Sequence, residues 1–161
     1  MYVDFQQLDG DSRIWIYQAS RELSDQEIEQ IGMYAKQFVD GWTKHGSDLK
    51  GSFTVAYKRF LILAVDQSFN NVSGCSIDAS VHFVKGLGNE LGVDFMNKMN
   101  LAYLDSQGSI QTMAMGDFSK RAKSGDLAMD LKVFNNLINS KQELESKWIV
   151  PAQESWHKRF Y

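Results

Sequence analysis

Two apolar runs rich in β-branched and aromatic residues, "SRIWIYQAS" at 12–20 and "FLILAV" at 60–65, alternate with two amphipathic stretches that carry helix caps, and this order predicts an α+β fold. With the run "GSFTVAY" ahead of the second apolar run and "MNLAYL" after the second helix, the elements read strand-helix-strand-strand-helix-strand. That order suits a ferredoxin-like split β-α-β two-layer sandwich with a C-terminal strand and helix extension; a three-layer α/β arrangement is the alternative.

The first strand places Ile14 and Ile16 on one side and Trp15 and Tyr17 on the other, so it should be central. The first helix is expected over 24–46. Ser24 and Glu27 form a capping box, Ile28, Ile31, Ala35, Phe38, Val39 and Trp42 recur at helical spacing, and Gly46 offers a left-handed stop. A hairpin over 49–67 joins a half-exposed strand to the central "FLILAV", through a loop wider than two residues because Lys58-Arg59 is a poor tight turn. The second helix should run from about Ser76 to Leu91, with Gly92 as its stop and Gly88 permitting close approach to the sheet.

Beyond it, "MNLAYLDSQGSIQTMAM" reads as two strands around an Asp-Ser-Gln-Gly turn, "DFSKRAKSG" as a short basic helix and "LKVFNNLI" as a strand. Ser140 and Glu143 repeat the capping-box pattern, and Pro151 suits the first turn of a final helix. Trp148, Trp156, Phe160 and Tyr161, interleaved with His157, Lys158 and Arg159, are expected to cover a sheet face; stacking on nucleic-acid bases is the weaker reading.

Composition sets bounds on function. The chain has 161 residues, 43% hydrophobic and 23% charged, with a net charge of −3, which suits one α+β domain over residues 1–161 and no nucleic-acid partner. A single cysteine and a start without a basic, apolar leader point to the cytoplasm, and no apolar run is long enough for a bilayer. The N-V-S at 71–73 then reads as a chance sequon. No cofactor or metal is expected, since His45, His82 and His157 are far apart and show no zinc spacing.

Chemistry concentrates in "NNVSGCSIDAS" at 70–80. Cys75 falls in the first turn of the second helix, where free N–H groups and the helix dipole favour a thiolate. In the split β-α-β topology His45, Asp66 and Cys75 come to one edge and could act as base, orienting carboxylate and nucleophile. Ser73, Gly74, Ser76 and Asp78 form the candidate ligand-binding set around the same turn, open to a small anion at 73–78. The plain structural alternative is a polar capping turn with a small cysteine in it. "GLGNELG" at 86–92 has the wrong glycine spacing for a dinucleotide fingerprint.

The segments "SRIWIYQASREL", "WTKHG", "RFLILAVDQ", "SGCSIDASVHFVKGLG", "VFNN" and "VPAQESWHKRF" together resemble an uncharacterised family of short bacterial proteins of about this length, often labelled "ABC transporter ATPase". The resemblance implies a compact bacterial domain and carries over no functional residue. The label itself needs a G-x-x-x-x-G-K-[ST] loop to cradle phosphates, and the sequence has none. The leading reading is therefore a binding or interaction module, acting on itself as a homodimer or on another protein. The alternative is a small enzyme or ligand-binding site at Cys75, His45 and Asp66.

Overall fold

The computed structural model describes residues 1–68 and 72–161; Asn71 of the N-V-S sequon lies outside them. The chain is a mixed α+β protein whose residues group into two compact units, 1–97 with 139–141, and 98–138 with 142–161.

The first unit holds β1 (Arg13–Gln18), α1 (Asp25–Asp40), the two-residue strands β2 (Thr43–Lys44) and β3 (Ser47–Asp48), β4 (Gly51–Ala56), β5 (Phe60–Val65) and α2 (Gly74–Leu91). Its main sheet has the order β1-β5-β4, antiparallel throughout, with Trp15 and Phe53 both opposite Leu63. Alternation along the strands sends Tyr17, Leu61 and Leu63 into one core with Ile31 of α1 and Val84 and Leu87 of α2. Phe60, Ile62 and Ala64 point to the opposite face and are buried as well, so β5 is apolar on both faces, as its sequence predicts.

The capping box of α1 forms as expected, with Ser24 Oγ accepting from the Glu27 N–H and the Glu27 carboxylate accepting from the Ser24 N–H. The Arg21 guanidinium forks onto the same carboxylate with two contacts of 2.8 Å, and its hydrogen bond is the main cause that draws the Glu27 pKa down to about 2. The helix ends at Asp40, not near Gly46. Residues 43–48 leave it to form the β2–β3 ribbon, whose two-residue turn is His45-Gly46, both at positive φ (49° and 81°). The Trp42 ring stays buried because the chain turns back beneath it, with the Leu49 N–H donating to the Trp42 carbonyl.

The β4–β5 loop has three residues, wider than a tight turn, and Tyr57 and Lys58 both sit at φ 54°. That strained pair is held by the chain after β1: the N–H groups of Ala19 and Leu23 donate to the Arg59 and Lys58 carbonyls, each at 2.7 Å. α2 starts two residues before Ser76, capped by Ser73, and Gly92 ends it in the left-handed region. Its buried stripe is Ser76, Ser80, Val84, Leu87 and Gly88. Short hydroxyls enter it because Ser80 Oγ donates to the Ile77 carbonyl and so carries no unmet hydrogen bond inward. Gly88 serves the return of the chain and not the sheet: a Cβ there would lie 2.5 Å from the Val93 carbonyl oxygen.

The second unit holds β6 (Asn100–Leu104), β7 (Ile110–Ala114), α3 (Met115–Lys123), β8 (Lys132–Phe134), α4 (Glu143–Ser146) and β9 (Ile149–Pro151), with strands in the order β7-β6-β8-β9. β6, expected to follow α2 into the first sheet, pairs here with β7 and β8. The Asp105 carboxylate closes the β6–β7 turn by accepting from the N–H groups of Gln107 and Ser109. Phe118 and Ala122 of α3 pack with Leu101, Val133, Ala152 and Phe160.

Ser140 pairs with Arg13 at the edge of β1, and Gln142 precedes α4. One C-terminal expectation differs from the structure. Pro151 ends the edge strand β9, where a missing N–H costs no ladder bond, and the chain continues as two 3₁₀ turns, Ala152–Glu154 and Trp156–Phe160. The aromatics there do pack inward: Trp148 and Phe160 are buried.

Leu63 meets neighbours on both flanking strands and in the helix-facing core. Leu63→Ala is expected to cost about 2–5 kcal/mol of unfolding free energy, read from denaturant titration with an unchanged slope.

Candidate functional site

Three segments of the first unit are linked at the edge where the sequence places the candidate residues. The Trp42 indole N–H donates to the Ser76 carbonyl at 2.9 Å, and Ser76 Oγ donates to the Thr43 carbonyl at 2.9 Å. These two bonds tie the β2–β3 ribbon, with His45 at its tip, to the first turn of α2, where Cys75 lies. The end of β5 joins them through the Asp66 N–H, which donates to the Lys50 carbonyl, and through the Lys50–Asp66 ion pair at 3.4 Å.

The side chains divide into two groups. Asp66 and Ser76 are buried and their polar atoms are engaged. One Asp66 oxygen accepts from the Ser68 N–H and hydroxyl, the other faces Lys50 Nζ. The Ser68 hydroxyl is the main cause that lowers the Asp66 pKa, followed by the Ser68 N–H. Ser73 Oγ lies 2.9 Å from Ser76 Oγ and accepts from the Ser76 N–H, which makes it the cap of α2. His45, Gly74, Cys75 and Asp78 are exposed. Among the described residues no three His, Cys, Asp or Glu side chains gather in a metal-ligating group.

A second feature of this unit is a groove between the helices, of about 470 Å³. α1 lines it with Tyr34, Gln37 and Phe38, and α2 with His82, Phe83, Gly86, Leu87 and Glu90. The Phe38 and Phe83 rings stack nearly parallel, 4.4 Å between centroids and 6° between planes. Close to these residues along α1, Met33 is 70% exposed and Tyr34 42% exposed, a large apolar surface for a helix facing water. Gly86 opens the wall, since a Cβ there would meet nothing within 4 Å. Volume, aromatic lining and a few polar groups (Gln37, His82, Glu90) match the usual make-up of a ligand site. A hollow of about 500 Å³ is lined by other residues of the same half of α2, Val84, Lys85, Gly88 and Asn89, and by Gly92–Met96, but it has no aromatic pair of this kind.

The helical spacing of Tyr34 with Phe38, and of His82 with Gly86 and Glu90, is legible in the sequence. Their meeting across two helices is not, so the linear pattern favours Cys75 and passes over this groove.

Replacing Trp42 by Phe keeps an aromatic ring and removes the donor to the Ser76 carbonyl. The variant should lose about 1–3 kcal/mol of stability in chemical denaturation, with faster hydrogen exchange confined to 42–48 and the first turn of α2. The chain matches no family model, no curated protein and no solved structure.

Proposed function

We propose that the chain is a binding or interaction module whose groove between α1 and α2 receives an aromatic or apolar group of its partner, a second copy of the chain included. The observation that carries this reading is the stacked Phe38–Phe83 pair lining an open groove, with Met33 and Tyr34 exposed close by on α1. Gln37, His82 and Glu90 would orient the guest through polar contacts at the rim. The same reading takes the protein as cytoplasmic and bacterial, supported by its single cysteine and by its resemblance to the short bacterial family. None of the described helices is long and apolar enough to cross a membrane. For the first unit it takes a ferredoxin-like core. The order β1-β5-β4 with a helix after β1 and after β5 supports that, and residues 139–141 occupy the edge of β1 where a fourth strand would lie.

Gly86 supplies the test. Gly86→Ala leaves the groove open and should stabilise the helix by about 0.5–1 kcal/mol. Gly86→Trp fills it from an open position. The dye 1-anilinonaphthalene-8-sulfonate should brighten on wild type and on the Ala variant, with NMR shifts at Phe83 and His82, and do neither on the Trp variant. Equal dye response in all three sinks the groove.

A second reading rests on Cys75, exposed in the first turn of an 18-residue helix to which the His45 ribbon is hydrogen-bonded. A thiol-dependent site there would use His45 as base. His45→Ala should then slow alkylation of Cys75 by iodoacetamide at neutral pH by about tenfold or more. Equal rates in the two proteins would leave Cys75 a plain surface thiol.

A further inference from the structure

We propose that the C-terminal turn Trp156–Phe160 is an acid-released strap, held on α3 while His157 is neutral and let go when that ring takes up a proton. The geometry lies within the second unit.

His157 is fully buried. Its ring stacks on Trp156 at 4.1 Å and tilts against Phe118 of α3 at 5.6 Å, while Phe160 meets the same Phe118 ring at 5.6 Å. The strap is thus fastened to the helix through one aromatic cluster with the imidazole at its centre. Nδ1 lies 2.8 Å from Ser155 Oγ, and Nε2 is buried with no hydrogen-bond partner.

Ser155 can donate to Nδ1 or accept from it, so a neutral ring leaves one nitrogen unmet in either tautomer. A protonated ring has two donors and a full charge, with a single acceptor within reach. Burying such a charge costs far more than burying one unpaired nitrogen. The charged groups on the elements packed here are Asp117, Lys120, Arg121 and Lys123 of α3, Glu154 of the preceding turn, and Lys158 and Arg159 of the strap, all exposed. None of them offers a buried carboxylate to the ring. The Arg159 guanidinium lies over Trp156 and Phe160, 5.4 and 5.2 Å from their centroids, and adds a like charge to the cluster.

Burial alone pushes the His157 pKa down from 6.5 to about 4. A released ring titrates near 6.5, so between that pH and about 4 the released form binds the extra proton. The equilibrium therefore moves toward release as pH falls, by up to about tenfold per pH unit in that window, and is indifferent to pH above it. At neutral pH the end of the strap is also fixed by the Tyr161 hydroxyl, which donates to the Ala128 carbonyl.

Two measurements test the strap on the full chain. In wild type, the His157 ring resonances are followed by NMR against pH, together with the nuclear Overhauser effect between the Phe118 and Phe160 rings. Proton uptake and the fading of that effect should share one midpoint below the range of a solvated histidine. A ring that titrates while the two phenylalanines stay together overturns the proposal. So does separation of the phenylalanines at a pH where the ring does not titrate. In the second measurement an acid-active carboxypeptidase trims the chain from Tyr161. Wild type should be trimmed progressively faster from about pH 6.5 to about 4, whereas His157→Phe, which keeps an aromatic ring and removes the titration, should show a flat profile after correction for protease activity. Parallel profiles would overturn it. If the variant fails to fold, the wild-type titration decides alone.

Discussion

β5 is buried along its whole length and on both faces, and the first unit is arranged around that requirement. A strand with apolar side chains on both sides cannot sit at an edge, because its polar backbone would then need water where its side chains exclude it. The hairpin supplies β4 on one flank, and β1 supplies the other. The outer edges are shielded in turn. Gly51 of β4 exchanges backbone hydrogen bonds with Met1 and Val3, and the start of β1 does so with Asn139 and Lys141. Segments distant in sequence are thereby recruited to protect one six-residue strand.

The same constraint places the candidate sites. Once β5 ends at Val65, the chain must leave the core, and Asp66 marks the exit by holding Ser68 and Lys50. The helix that follows is anchored at its first turn by Trp42 and Thr43, so its start is set by hydrogen bonds to the ribbon. Its middle is set by Val84 and Leu87 against the sheet. With its start and middle so fixed, α2 meets α1 through the stacked Phe38 and Phe83 rings, and the groove lies between the two helices beside that pair. A glycine at 86 and short hydroxyls at 76 and 80 show that the helix is tuned for close fit on its inner side and openness on its outer side.

Much of this is legible along the chain wherever one local cause dominates. The Ser24–Glu27 box marks the start of α1, Gly92 the end of α2, and the unbroken apolar run of β5 its central place. Legibility fails where two local signals compete. Gly46 looks like a helix stop, yet His45-Gly46 is also a tight-turn pair, and the burial of Trp42 with its bond to Ser76 favours the turn. Pro151 fits a first helical turn and an edge strand equally well, and pairing with β8 decides it. The edge with Cys75 follows from topology. Which of its side chains remain free depends on the partners of Asp66 and Ser76, and those are tertiary.

Asp66 and His157 show two opposite ways of burying a titratable group, and the contrast separates their responses to acid. Asp66 is kept charged by the Ser68 hydroxyl and N–H, with Lys50 adding a smaller share, so its pKa falls below the usual 3.8. A carboxyl lowered in the folded state stabilises the fold above that value, and the contribution is lost only as pH drops through the lowered pKa. His157 is kept neutral by its burial, and its contribution is lost earlier, between 6.5 and about 4. Mild acid therefore acts on the aromatic cluster of the second unit before it reaches the exit of β5 in the first. A chain brought to about pH 5 should keep the Lys50–Asp66 link while the hold of the strap on Phe118 weakens. The order follows from hydrogen-bond supply: the carboxylate was given donors, and the imidazole was given only a hydroxyl and the faces of aromatic rings.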